Sequence, residues 1–183
     1  TIYGIVPLLE DDLTRNFRFG LIVIGHQIDQ EVDYLRGTMR VVTDLVPRDE
    51  FLQFLIAARD IALGSTSGQE PSWDAIAWVA ENRFGLAFRE DSNKVIILMT
   101  DETGQSYDSP RANEQSVALI LQSSPFIVHV YNERVYQYAF DEITRVQDNF
   151  HALEDHPTTE VVFESLRRIF LNICLGEGGG SPP

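Results

Sequence analysis

Three short apolar runs punctuate the chain: Phe19-Gly20-Leu21-Ile22-Val23-Ile24, Lys94 to Met99 (KVIILM) and Phe126 to Tyr131 (FIVHVY). Each is mostly β-branched, aliphatic or aromatic and is bounded by turn residues. Continuous rather than alternating hydrophobicity predicts strands covered on both faces. Met39-Arg40-Val41-Val42-Thr43 is more polar and reads as a strand paired antiparallel at an edge.

Helical spacing fills the intervals. Pro47 to Leu63 carries Phe51, Leu52, Leu55, Ile56 and Ile61 on a helical repeat. Pro71 to Phe84 opens with a proline suited to a first helical turn. Arg111 to Gln122 carries Val117, Leu119, Ile120 and Leu121. Glu160 to Leu175 carries Val161, Phe163, Leu166, Ile169, Phe170 and Ile173, with Gly176 as a natural stop. Ile5 to Leu13 is also helix-like. Strands alternating with helices predict an α/β domain with a doubly wound, mostly parallel central sheet flanked by helices and one antiparallel edge strand. One domain is expected over 1–175, and the Gly/Pro-rich 176–183 reads as a flexible tail.

In such sheets ligands bind outside the carboxyl ends of the strands. The loop after the 94–99 run begins Thr100-Asp101-Glu102-Thr103-Gly104, which puts Asp101 at a strand's carboxyl end. It can face the crevice or simply cap a turn. The loop Gly64-Ser65-Thr66-Ser67-Gly68-Gln69 delivers Glu70 just before the proline-started helix, where a carboxylate also favours a helix start. Two carboxylates among hydroxyls make an all-oxygen set, suited to Mg²⁺ or another hard cation.

Composition narrows the partners. The chain has 183 residues, with 28 acidic against 14 basic side chains and a formal net charge of −14. Nucleic acid and anionic lipid would meet net repulsion. No apolar run reaches the roughly 18 residues of a membrane span, so no membrane insertion is expected. The one cysteine, Cys174, excludes an intrachain disulfide and a Cys-based zinc cluster, and its place in an apolar helix predicts a buried thiol. His129, within an apolar run, reads as a structural histidine, and His26 as a possible lining of the crevice. His151 and His156 lack metal-ligand spacing. Trp73 and Trp78 read as core, and Asp74 as facing a loop or solvent. Phosphate-gripping loops, a GxSxG elbow and HExxH are absent from the sequence.

From Arg18 to Cys174 the order of motifs resembles a von Willebrand factor A domain, also called an integrin I-like domain. RFGLIVIG resembles its second strand. The stretch Gly64 to Ile76, followed by LAFREDSNKVIILMTDE, resembles the variant whose second metal loop ends in Glu. SSPFIVHVY, the region around NFHAL, and VFESLRRIFLNIC resemble its last strands and closing helix. The resemblance implies a metal-ion-dependent adhesion site with Asp101 as the third-loop ligand and Glu70 as the second-loop ligand. Thr66 is the alternative to Glu70, but counting back from Ala75-Ile76 favours Glu70. The family's first strand, ending Asp-x-Ser-x-Ser, has no match in the chain. The resemblance therefore makes Mg²⁺ (or Mn²⁺ or Ca²⁺) conditional on ligands expected upstream of Thr1. A second possibility is that 5–14 is itself a degenerate first strand and loop.

The function so implied is a non-enzymatic protein-binding or cell-adhesion module, whose metal coordinates an Asp or Glu of a protein partner. The alternatives are a metal-independent interaction scaffold and a Mg²⁺-dependent hydrolase. The family occurs outside and inside cells, and the resemblance favours the exterior without fixing the compartment. Oligomeric state is not legible.

Overall fold

The structure, a computed structural model, describes residues 16–24, 39–58, 70–106, 113–144, 149–153 and 158–175. In chain order these form β1 (Arg18–Ile24), β2 (Met39–Pro47), α1 (Arg48–Ala58), α2 (Ser72–Ala80), β3 (Lys94–Met99), α3 (Glu114–Gln122) and β4 (Phe126–Glu133). A 3-10 turn (Arg134–Ala139), α4 (Asp141–Thr144), β5 (Phe150–Leu153) and α5 (Thr159–Leu175) follow. The expected helix over 5–13, His26, Ser65, Thr66, Ser67, His156 and the 176–183 tail lie outside the described residues.

β3, β4 and β5 form a parallel sheet in the order β3-β4-β5, and β1 and β2 form a separate antiparallel pair. The antiparallel pairing expected for 39–43 is present, with Leu21 opposite Thr43 and Ile24 opposite Met39. β2 runs on to Pro47, which faces Arg18, so α1 begins one residue later than the helical spacing implied. Proline is tolerated at such a strand end because its missing N–H leaves few ladder bonds unmade. The parallel ladder joins Ile96 to Val128 and Leu98 to Val130, then Tyr131 to His151.

Side chains alternate across this sheet, and each face has its own core. Leu98, Val128 and Val130 point to one face and pack with Ile76 and Ala77 of α2, Val117 of α3, and Phe140 and Ile143 beyond the sheet. Tyr131 points to the other face and packs with Val162, Leu166, Ile169, Phe170 and Ile173 of α5; Val95, Ile97, Met99 and Leu153 join it there. This period of two explains why β4 reads as one continuous apolar run: both of its faces are covered. β1 reaches the same layers, since Phe19 lies against Phe170 with ring centroids 5.9 Å apart and Ile24 packs on the α2 side.

Local signals set the element ends. Asn113 caps α3, with its Oδ1 accepting from the Ser116 N–H at 2.9 Å while Ser116 Oγ accepts from the Asn113 N–H. Asn82 takes a positive φ of 51° after α2 and grips Leu86 through both side-chain atoms. Pro71 sits at the N-cap of α2 rather than inside its first turn. Cys174 is exposed, contrary to the sequence reading. The buried stripe of α5 runs through Leu166, Ile169, Phe170 and Ile173, and residue 174 is one step of about 100° around the helix from it. Among the described residues no helix is long and apolar enough to cross a membrane.

Leu166 is fully enclosed between α5 and the sheet. Leu166→Ala is expected to cost about 2–5 kcal/mol in chemical denaturation, through lost burial and the cavity left behind. Val161→Ala, on the exposed side of the same helix, should change stability by no more than about 0.5 kcal/mol.

Candidate metal-binding site

The carboxyl end of β3 and the start of α2 bring the two candidate carboxylates to one place. Thr100 continues the parallel ladder, its N–H donating to the Tyr131 carbonyl at 3.1 Å. This fixes its side chain, and Thr100 Oγ1 donates to Glu70 Oε2 at 2.8 Å. The same hydroxyl accepts from the Glu102 N–H at 3.1 Å, which turns the chain sharply at Asp101. Glu70 is half-buried, Asp101 is exposed and Glu102 is half-buried.

The charges crowd. Burial pushes the Glu70 carboxyl above its ordinary value, the Thr100 hydroxyl pulls it back, and the nearby charges of Asp101 and then Glu102 push it up again. The oxygens gathered here are those of carboxylates and a hydroxyl, the donor chemistry that a hard divalent cation prefers. Among the described residues, no group of three or more His, Cys, Asp or Glu side chains is placed to hold a metal ion.

A web of bonds fixes the loop that carries Asp101 and Glu102 against α2. Trp73 N–H donates to the Gln105 carbonyl at 3.1 Å, the Gln105 N–H donates to Ser72 Oγ at 3.4 Å, and Ser106 Oγ donates to Asp74 Oδ1 at 2.6 Å. Asp74 thus faces a loop, as one of its two expected placements had it, but in a buried position rather than in solvent. The Trp73 indole reaches across Gly104 to the Ala139 carbonyl, with Nε1 donating at 3.0 Å. A Cβ at residue 104 would collide with the indole and lie 2.9 Å from the Ala139 oxygen, so only glycine fits. On the far side, fully buried Asn132 at the end of β4 donates to the Glu102 carbonyl at 2.8 Å and accepts from the Glu133 N–H at 2.7 Å.

Thr100, Glu102 and Asn132 had no role in the sequence reading. The signal for Asn132 is a polar residue closing an apolar run, next to a strand's carboxyl end. Trp73 packs on the core as expected, whereas Trp78 lies half-buried at the surface between Phe84 and the Arg83 guanidinium, 5.6 Å above its ring. His129 is buried as expected. Its ring Nδ1 lies 3.0 Å from His151 Nε2.

No family model and no curated protein sequence matches the chain. Solved structures do resemble it. Proximal thread matrix protein 1 from the mussel byssus, with a zinc-occupied MIDAS motif, superposes with a TM-score of 0.65 at 13% identity, over 94% of this chain and 41% of that one. A second structure of the same mussel protein gives a TM-score of 0.64 at 14% identity, over 92% of this chain and 40% of that one. The chain therefore spans about two fifths of the length of that protein. At this identity the likeness shows the fold, which is the α/β fold of the von Willebrand factor A type.

Two outcomes follow from the loop geometry. Gly104→Ala is expected to destabilise the protein by about 1–3 kcal/mol, the usual cost of overpacking, and to break the Trp73–Ala139 bond, visible as a red shift of tryptophan emission. Asp101→Asn removes a like charge from Glu70. Because the folded-state Glu70 carboxyl lies above its ordinary value, the folded protein binds a proton, as pH falls, before the unfolded chain does. An ionised Glu70 therefore lowers stability at neutral pH, and that cost fades as pH falls. In chelator, Asp101→Asn should melt above wild type at pH 7, with the difference shrinking toward pH 4.

Proposed function

We propose that the chain is a non-enzymatic protein-binding module of the von Willebrand factor A type, in which a divalent cation at a metal-ion-dependent adhesion site engages a carboxylate of a protein partner. The observation that carries this reading is the meeting of Glu70 with Asp101 at the carboxyl end of β3, braced by the Thr100 hydroxyl. The zinc-occupied MIDAS motif of the mussel matrix protein, which shares the fold, supports it. Glu70 and Asp101 would hold the ion, in the variant that places Glu in the second metal loop. The cation would supply an open coordination position, and the oxygen-only donors suit Mg²⁺, Mn²⁺ or Ca²⁺ as well as zinc.

The chain's own residues orient and hold. Thr100 aims the Glu70 carboxylate, and Asn132 and Ser72 pin the loop that presents Asp101. In the same reading β1 and β2 belong with β3, β4 and β5 to one doubly wound sheet, since Phe17, Phe19 and Ile24 share the two cores that sandwich β3. The partner is a protein presenting Asp or Glu.

The lack of a third His, Cys, Asp or Glu ligand among the described residues favours a second reading, a scaffold that binds partners without metal. Thermal shift and calorimetry with Mg²⁺, Mn²⁺, Ca²⁺ and Zn²⁺ separate the two. Under the first reading wild type gains melting temperature with at least one ion, and Glu70→Ala and Asp101→Asn lose most of that gain. No heat and no shift with any of the four ions would leave the scaffold.

A further inference from the structure

Among the described residues, a chain of polar groups runs through the α5 side of the sheet. His129 Nδ1 and His151 Nε2 are 3.0 Å apart, and the His151 ring stacks on Tyr131 at 4.5 Å with 18° between the planes. Tyr131 carries its hydroxyl to Ser165 of α5, 3.0 Å away. Neither histidine stands out in sequence; the β4–β5 register, which sets His151 opposite Tyr131, brings them together. We propose that the His129–His151 pair is an acid-sensitive support for α5, which holds the helix on the sheet while the pair is neutral and loosens it when the pair takes up protons.

The surroundings argue for this. Among the described residues, Val95, Ile97 and Met99 of β3 and Leu153 of β5 pack in the same layer as Tyr131. β4 contributes Tyr131, and Glu133 lies at its far end, opposite Leu153. α5 contributes Ser165 and Arg168, a cation whose charge acts on Tyr131. Ser165 also lines an open cleft of about 460 Å³ with Glu164, Arg167, Arg168 and Leu171. A charge arriving on His129 is penalised by burial, and a second proton turns both facing nitrogens into donors and abolishes their bond. Burial, and then the neighbouring imidazole, accordingly hold His129 down to about 4.

The linkage has a definite sign. A histidine held below its ordinary 6.5 in the folded state favours the folded form above that value, and the advantage is lost as pH falls from about 6.5 towards about 4. Tyr131 extends the effect: its carbonyl accepts the Thr100 N–H, so α5 and the loop bearing Asp101 share one strand. The device itself does not rest on metal binding.

Hydrogen exchange of the whole chain in EDTA, corrected for intrinsic rates, tests it. Between pH 6.5 and 4.5, α5 amides around Leu166, Ile169 and Phe170 should lose protection by up to about tenfold per pH unit, the limit for one linked proton. The double variant His129→Leu/His151→Phe should remove that dependence. Protection that stays flat in wild type, or falls equally in the double variant, overturns the proposal. Should the variant not fold, proton NMR of the wild-type imidazoles decides: one midpoint below about 5 supports the proposal, and two ordinary midpoints near 6.5 overturn it.

Discussion

Burial of β4 on both faces is the constraint from which the rest of the molecule is built. Its even-numbered side chains, Val128 and Val130, complete the core shared with α2 and α3. Tyr131 on the odd side completes the core beneath α5. A parallel strand so covered leaves its backbone polar groups to its neighbours, and both β3 and β5 pair with it. The strand also sets chemistry at its end: the Tyr131 carbonyl accepts from the Thr100 N–H, and the Asn132 side-chain amide donates to the Glu102 carbonyl. A single strand thus fixes the helix layers, the loop carrying the acidic residues and the histidine pair.

Much of this was legible in the residues, and the reasons differ by element. The 94–99 strand is continuous, apolar and flanked by turn formers, and its observed bounds match the run. The helix ending at Leu175 announces itself by spacing. The 3-10 turn over 134–139 and the four-residue α4 gave no signal, since neither is long enough to establish a period. Pro47 misled because proline suits both a helix start and the end of an edge strand, and only pairing with Arg18 decides between them. The buried reading of Cys174 failed for a geometric reason: composition marks a helix as apolar, but only its orientation says which side is covered.

For the site, topology was more informative than motif. The rule that ligands gather at the carboxyl ends of parallel strands pointed to the loop after Met99, and the structure sets Glu70 against that loop. The supporting residues were not legible, because their partners are remote in sequence. Thr100 and Glu70 are 30 positions apart, and Trp73 and Ala139 are 66 apart. His129 and His151, separated by 22 positions, became a pair only through strand register. Spacing within one element finds ligands on a helix face; it is blind to groups joined across a sheet.

The exposed thiol of Cys174 has a practical meaning. It is the one sulfhydryl in the sequence, it stands near the end of α5, and it is exposed on the flank of the helix's buried stripe. A maleimide dye or spin label would attach there alone, without disturbing the packed side of the helix. The molecule therefore carries a built-in handle from which displacement of its closing helix can be followed as a distance. Left unmodified in an oxidising medium, the same handle can tie two copies of the chain back to back.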